Sequence, residues 1–450
     1  MEAVSSGAST RDEASVPKAQ KVDWRVVWAA AAAMLVEGYD LGVYGNLLPF
    51  LLKDGTLGMD TALAGVAGSA VFIGMLLGGL AAGWLNSRYG QRKVLVCGIS
   101  VFSAAMLCTA SVHDSVLFTG TRLLAGAGLG VVMPVCMAMA RSACSSSMSS
   151  LCISVVMGGI PAGGIAASLL SWLTASHVGW RPLFVVGALI GPVLIPLLFS
   201  VLRRIVDPER EATDREVAQD VSPGSRRGVP LRELLAPAIA GMAATFCFLL
   251  SFYGLMTWLT KLMTEIRVPL DGALQLTLVL NTGAVLGSLL TGLLATRFGT
   301  LTLTVVSGVI GAVCLVLLPS GVITGAAMML VVAVLGMVSP SAQNLVNSLV
   351  SEAVAAHWRT GVLGFTLGVG RLGAVLAPVI GSYLLVNVPA GEGITSPAGA
   401  VFVAFAVASL GGVVAACWLG GAGPPPRPAG GLGIGEPWDG KTERGRKKLR

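Results

Sequence analysis

The chain has 450 residues, 54% of them hydrophobic and only 12% charged. A soluble domain carries about 25% charged residues, so the composition excludes an ordinary soluble protein and predicts an all-α membrane protein. The net charge of +7 does not call for nucleic acid, because the basic residues are distributed as in a protein threaded through a bilayer.

Residues 1–25 read as a polar, disordered tail. They lack the short apolar core and cleavage site of a signal peptide. Segments long and apolar enough to span a bilayer follow, near 26–52, 62–85, 94–111, 115–140, 148–174 and 182–201. A charged stretch, 202–233, interrupts them with Arg203, Arg204, Asp207, Glu209, Arg210, Glu211, Arg226 and Arg227, broken by Pro208 and Pro223. Six more segments lie near 234–260, 272–295, 301–319, 322–350, 360–386 and 397–420. The tail 421–450 opens with Pro424, Pro425 and Pro426, ends basic, and reads as disordered. The prediction is twelve transmembrane helices in two six-helix halves, 26–201 and 234–420, joined by a central loop.

Lys and Arg set the orientation. With a cytoplasmic N-terminus, the cytoplasmic pieces hold 24 of the 30, and the opposite loops hold four: Lys53, Arg181, Lys261 and Arg267. Both termini are therefore expected inside. The remaining two, Arg122 and Arg371, fall within spans. An internal repeat supports two halves. The second segment of each half ends in small residues and then Arg-aromatic-Gly: Arg88-Tyr89-Gly90 in one, Arg297-Phe298-Gly299 in the other. Of eight cysteines, Cys97, Cys108, Cys136, Cys152, Cys247, Cys314 and Cys417 lie in apolar runs and Cys144 in a short loop. Without metal-ligand spacing they read as small buried thiols.

The chemistry concentrates in the first segment, at Glu37-Gly38-Tyr39-Asp40. A charged side chain at a helix centre costs roughly 3 kcal/mol on insertion scales and marks an ion or substrate path. Asp40 lies ~20 Å in from Val26, near the midplane. Glu37 and Asp40 share a helix face at i, i+3.

Two stretches resemble the signatures of the major facilitator superfamily. One is Gly83-Trp84-Leu85-Asn86-Ser87-Arg88-Tyr89-Gly90-Gln91-Arg92-Lys93, after the second segment; the other is Arg122 to Gly130 in the fourth. Within that superfamily the chain is similar to aromatic acid:proton symporters. The similarity is carried by Glu37-Gly38-Tyr39-Asp40, by Gly179-Trp180-Arg181-Pro182-Leu183-Phe184, by Tyr253 to Trp258, and by Gly368 to Ala374 with Pro378 and Gly381. It implies uptake of an aromatic carboxylate with protons through a rocker-switch carrier. It also implies a gating role for Gly83, Arg88, Gly90 and Arg92. Ser87 and Thr296 stand where the loop signature normally carries an acid, and Glu37 where that family usually has Asp.

Proton coupling needs a carboxylate that changes charge near neutral pH. Asp40 is the first choice and Glu37 the second. Arg122, ~10 Å inside its segment, needs a partner, and the acids of the first segment are available. The other reading is an Arg that snorkels to the interface. Arg371, ~18 Å deep, fits a substrate carboxylate in bidentate fashion; the other reading pairs it with Glu37 or Asp40. Tyr39, Tyr253 and Trp258 are candidate walls for an aromatic ring, and Asn281, Gln343, Asn344 and Asn347 candidate hydrogen-bonding groups. His113, His177 and His357 fall at loops. No nucleotide-binding loop, metal set or cofactor motif is present. The expected partners are a small aromatic carboxylate, protons and the lipid bilayer, and a monomer suffices. The competing functions are a proton-coupled carrier of another organic anion, a drug:proton antiporter, a membrane-embedded enzyme, and a sensor without transport.

Overall fold

A computed structural model describes residues 22–144, 148–202, 231–354 and 356–421. The expected tails and most of the expected central loop, 203–230, lie outside the described residues. The described chain is helical, and twelve helices are long and apolar enough to cross a membrane. The first half contains α1 (Trp24–Leu51), α2 (Thr61–Tyr89), α3 (Gln91–Ser111), α4 (Ser115–Ser142), a fifth span split into α5 (Ser149–Met157) and α6 (Gly159–Val178), and α7 (Arg181–Leu202). The second half contains α8 (Leu231–Glu265), α9 (Leu270–Phe298), α10 (Thr300–Leu317), α11 (Ala326–Ala353), an eleventh span split into α12 (Ala356–Gly370) and α13 (Leu372–Asn387), and α14 (Pro397–Gly421).

Local chemistry sets the helix ends. Asp60 accepts from the Leu63 N–H at 2.7 Å and Asp114 from Val116 and Leu117 at 3.0 and 2.9 Å, so both act as N-caps. Helices run past the apolar segments because polar residues at membrane borders still complete helical turns. Lys261, expected in a loop, sits in the last turns of α8 and pairs with Glu265 at 2.5 Å. The fifth span breaks at Gly158, next to Met157, whose carbonyl faces the ring of Pro161 four residues on and finds no N–H there. The internal repeat is geometric as well as sequential. Gly90 and Gly299 close α2 and α9 at φ +82° and +85°, a conformation that glycine adopts freely.

The 59 glycines serve mainly to bring backbones together. A Cβ at Gly126 would land on the Val71 carbonyl, one at Gly163 on that of Leu35, and one at Gly336 on that of Leu280. Such small-residue contacts replace the hydrophobic drive that lipid cannot supply. The cysteine expectation needs correction. Cys144 and Cys152 form a disulfide between the end of α4 and α5. Cys97, Cys108 and Cys417 are exposed, Cys247 is half-buried, and only Cys136 and Cys314 among the free thiols are buried. Position within an apolar run does not fix which face of a helix a side chain takes.

The halves meet toward one end. The near end is the one where Trp24 and Gly421 lie; the far end carries the loops 52–60 and 179–180. In α2, Gly65, Ser69, Phe72, Gly79 and Gly83 share a face by helical spacing. Ser382, Pro378, Val375, Arg371, Gly368 and Gly364 do so along α13 and α12. At the far end these faces touch: a Cβ at Gly65 would strike Ser382, and Ser69 Oγ donates to the Val375 carbonyl at 2.6 Å. Toward the near end a Cβ at Gly83, Gly364 or Gly368 would meet open space. Asn46 adds to the far-end closure, donating to Ser168 Oγ at 3.2 Å and accepting from Thr260 Oγ1 at 3.4 Å.

The far end is also fastened within the first half. Asp54 accepts from Thr56 N–H and Oγ1 (2.9 and 2.6 Å), from Trp180 Nε1 (2.7 Å) and from Arg181 (3.1 Å). The Thr56 hydroxyl first, then the Trp180 and Thr56 N–H groups and Arg181, hold its carboxyl down at about 2. The folded value lies below the ordinary one of about 3.9. The stabilisation is therefore complete above that value and is lost as pH falls toward 2. Thermal unfolding of the detergent-solubilised protein should lose stability between about pH 4 and pH 2, and Asp54→Asn should flatten that limb of the curve. An unchanged pH profile in the variant would show that the cluster contributes nothing.

Candidate functional site

The four charged residues inside spans do not stand as one group. They divide into a closed pair and an open one. In the closed pair, Asp40 of α1 accepts from Arg122 of α4. Both side chains are 0% exposed, so Arg122 does not snorkel to the interface. Its guanidinium lies over the Tyr44 ring at 4.7 Å, and Tyr44 donates to the Ala64 carbonyl at 2.6 Å. The pair is incompletely satisfied: Asp40 Oδ2 and Arg122 Nε and NH2 have no hydrogen-bond partner.

Glu37 is also buried, 2% exposed, and its Oε2 has no partner. It makes no ion pair among the described residues. The charges close enough to act on it are Arg371, across the half interface, and Asp40. It is itself close enough to act on Tyr253 of α8. Arg371 sits at the turn between α12 and α13 and is half-buried. Its NH2 donates to the thioether of Met133 in α4 at 2.8 Å, a weak acceptor for a cation. Among the described residues the Arg371 guanidinium has only a thioether as hydrogen-bond acceptor, and a cation so weakly held can accept an anion.

The aromatic candidates divide as well. Tyr253 lies at the interface, with the Phe72 ring 4.9 Å away and Phe252 at 5.3 Å. Tyr39 is not brought there. It points into the first half and donates to the Leu183 carbonyl at 2.8 Å. Trp258 is fully buried toward the far end, its Nε1 donating to the Pro378 carbonyl at 3.1 Å. Asn281 packs against Gly164 where the halves meet and spends its amide on the Thr277 carbonyl, 2.9 Å away. In α11, Gln343 Nε2 donates to Asn347 at 3.5 Å and leaves its buried Oε1 without a partner; Asn344 is exposed. At the near end, Arg88 lies over Trp84 and Tyr89, and Arg92 over Phe199 at 4.1 Å. Ser87 Oγ donates to the Trp84 carbonyl and Thr296 to that of Leu293. Gly83 faces open space beside them and Gly90 closes α2.

Sequence reasoning missed Met133, Phe72 and Tyr44. Tyr44 was within reach, since it stands four residues after Asp40 on the same face. Phe72 shares the interface stripe of α2. Nothing in the sequence marks Met133.

Two six-helix halves around charges buried at mid-depth mark a multi-pass membrane protein of the transporter class. A family model described as Major Facilitator Superfamily matches residues 30–378. The chain is 31% identical over 361 residues to a gentisate transporter of Corynebacterium glutamicum, covering 78% of this chain and 79% of that one. It is 27% identical over 392 residues to a benzoate transport protein of Acinetobacter baylyi, covering 80% and 83%. Among solved structures, a D-xylose-proton symporter superposes with a TM-score of 0.71 at 16% identity, covering 89% of this chain and 97% of that chain. The chain belongs to the Major Facilitator Superfamily.

The closed pair generates a stability prediction. Arg122→Leu leaves Asp40 buried and unpaired, and breaking a buried pair costs about 3–5 kcal/mol. The single variant should melt far below the parent, and adding Asp40→Asn should recover much of the loss. Equal melting temperatures for the single and double variants would show that the two side chains are not coupled.

Proposed function

We propose that this carrier imports an aromatic carboxylic acid together with protons by alternating access, with both termini on the cytoplasmic side. The observation that carries the proposal is the open pair between the halves: Arg371, whose hydrogen-bond acceptor among the described residues is a thioether, within electrostatic reach of the buried, unpaired Glu37. A substrate carboxylate takes the guanidinium in bidentate fashion. Glu37 then loses its counter-charge in a low-dielectric setting, and a proton neutralises it. Substrate and proton thus enter by charge balance.

Asp40 is the second proton group in this mechanism and the main carrier. Protonating it releases Arg122 within the first half and lets α1 and α4 shift relative to one another. Tyr253, beside Phe72, offers a ring wall next to Arg371. That wall and the names of the two relatives favour an aromatic acid over other organic anions. The need for a guanidinium at the site speaks against a drug:proton antiporter. On the proposed orientation, the open near end faces the cytoplasm. A single chain holds every group the mechanism uses.

Reconstitution in liposomes with an inward proton gradient tests the proposal. The panel is benzoate, hydroxybenzoates, gentisate, protocatechuate and phenylpropionates, with a sugar and a cationic dye as controls. Accumulation of one or more aromatic acids, abolished by a protonophore, is expected. Arg371→Lys keeps the charge but loses the fork. A charged hydrogen bond is worth about 1.5–3 kcal/mol, so its KM should rise about tenfold or more. Movement of the dye alone, or an unchanged KM in the variant, would contradict the proposal.

A further inference from the structure

At the near end, α2, α3 and α4 leave a groove of about 430 Å³. It is separate from the contact between the halves and plays no part in the mechanism above. Tyr89 and Lys93 stand at its mouth, and Cys97, Val101, Gly128 and Val131 line its length. From Lys93 to Val101 it follows α3 for ~12 Å. Its walls are apolar, and at its floor Gly98 and Gly128 bring the backbones of α3 and α4 into contact.

Lys93 gives the mouth its charge. Arg88 stands beside it, over the Tyr89 ring at 5.9 Å, while Arg92 turns to Phe199 of α7 at 4.1 Å. Lys93 is exposed. Among the described residues, none of the three has a carboxylate partner. Ser87, beside them, is neutral and donates to the Trp84 carbonyl at 2.9 Å. Aromatic and basic side chains at a helix end lie at headgroup depth, and basic clusters there attract anionic lipid.

We propose that this groove is a binding site for an anionic phospholipid, with an acyl chain along Cys97 and Val101 and the phosphate against Lys93. A zwitterionic headgroup brings its own cation to Lys93 and Arg88 and fits less well. The site does not depend on which solute the protein carries.

Cys97 provides a reporter inside the groove, because it is exposed in the empty protein. The purified full chain in detergent is treated with N-ethylmaleimide, and labelling of each cysteine is read by peptide mass spectrometry. Cys108 and Cys417, also exposed, lie outside the groove lining and serve as internal controls. Adding phosphatidylglycerol should slow labelling of Cys97 several-fold and leave the controls unchanged; phosphatidylcholine should do much less. Lys93→Gln should remove the difference between the two lipids without lowering the melting temperature. Native mass spectrometry should show the same preference as retained phosphatidylglycerol in the parent and its loss in the variant. Equal protection by both lipids would reduce the groove to a seat for any acyl chain and overturn the proposal. Protection by inorganic phosphate alone, an absence of protection, or an undiminished preference in Lys93→Gln would overturn it too.

Discussion

The structure depends on keeping charge inside an apolar bundle. Asp40 and Arg122 are both fully buried. Isolated, either would be prohibitively costly at that depth. Paired, they fix α1 against α4, and Tyr44 under the guanidinium carries the constraint on to α2 through the Ala64 carbonyl. The pairing is still incomplete, with Asp40 Oδ2 and two Arg122 nitrogens unpartnered. Removing one partner of such a pair is severe, whereas changing its protonation alters its geometry. In the proposed mechanism, this same structural element is the one that takes up the proton.

Glycine supplies the second constraint. Backbone-to-backbone contact within each half, as at Gly126 on Val71 or Gly336 on Leu280, makes the halves stiff. At the far end the halves close on one another, where Gly65 meets Ser382 and Ser69 meets Val375. The same two helix faces diverge toward Gly83, Gly364 and Gly368. Arg371 lies where the faces part. A ligand there touches both stiff bodies at once, so one guanidinium can influence how the halves sit.

Charged residues in apolar runs were the most legible feature of the sequence. Glu37, Asp40, Arg122 and Arg371 stood out because lipid makes them costly, and the structure places all four inside spans. Twelve spans and the repeat at Gly90 and Gly299 were legible for the same reason: hydropathy and glycine chemistry act locally. Side-chain direction was harder. Tyr39 lies between the two acids in sequence yet turns into the first half, and Trp258 turns toward Pro378. Aromatic identity gives no azimuth, and α1 is apolar on nearly every side. The Cys144–Cys152 bond joins a residue just past α4 to one in α5, and no spacing rule announces it. Met133 became visible only once α4 and the eleventh span were brought together.

The central claim is that Asp40 carries the coupling proton. It is tested most directly by comparing two modes of transport in liposomes containing Asp40→Asn. The variant is neutral and close in shape, so its partner Arg122 keeps a hydrogen-bond acceptor. The account predicts that accumulation against a gradient, driven by an imposed pH difference, is lost, while exchange of labelled for unlabelled substrate at equal pH continues. Normal pH-driven accumulation by Asp40→Asn would contradict it and move the proton to Glu37.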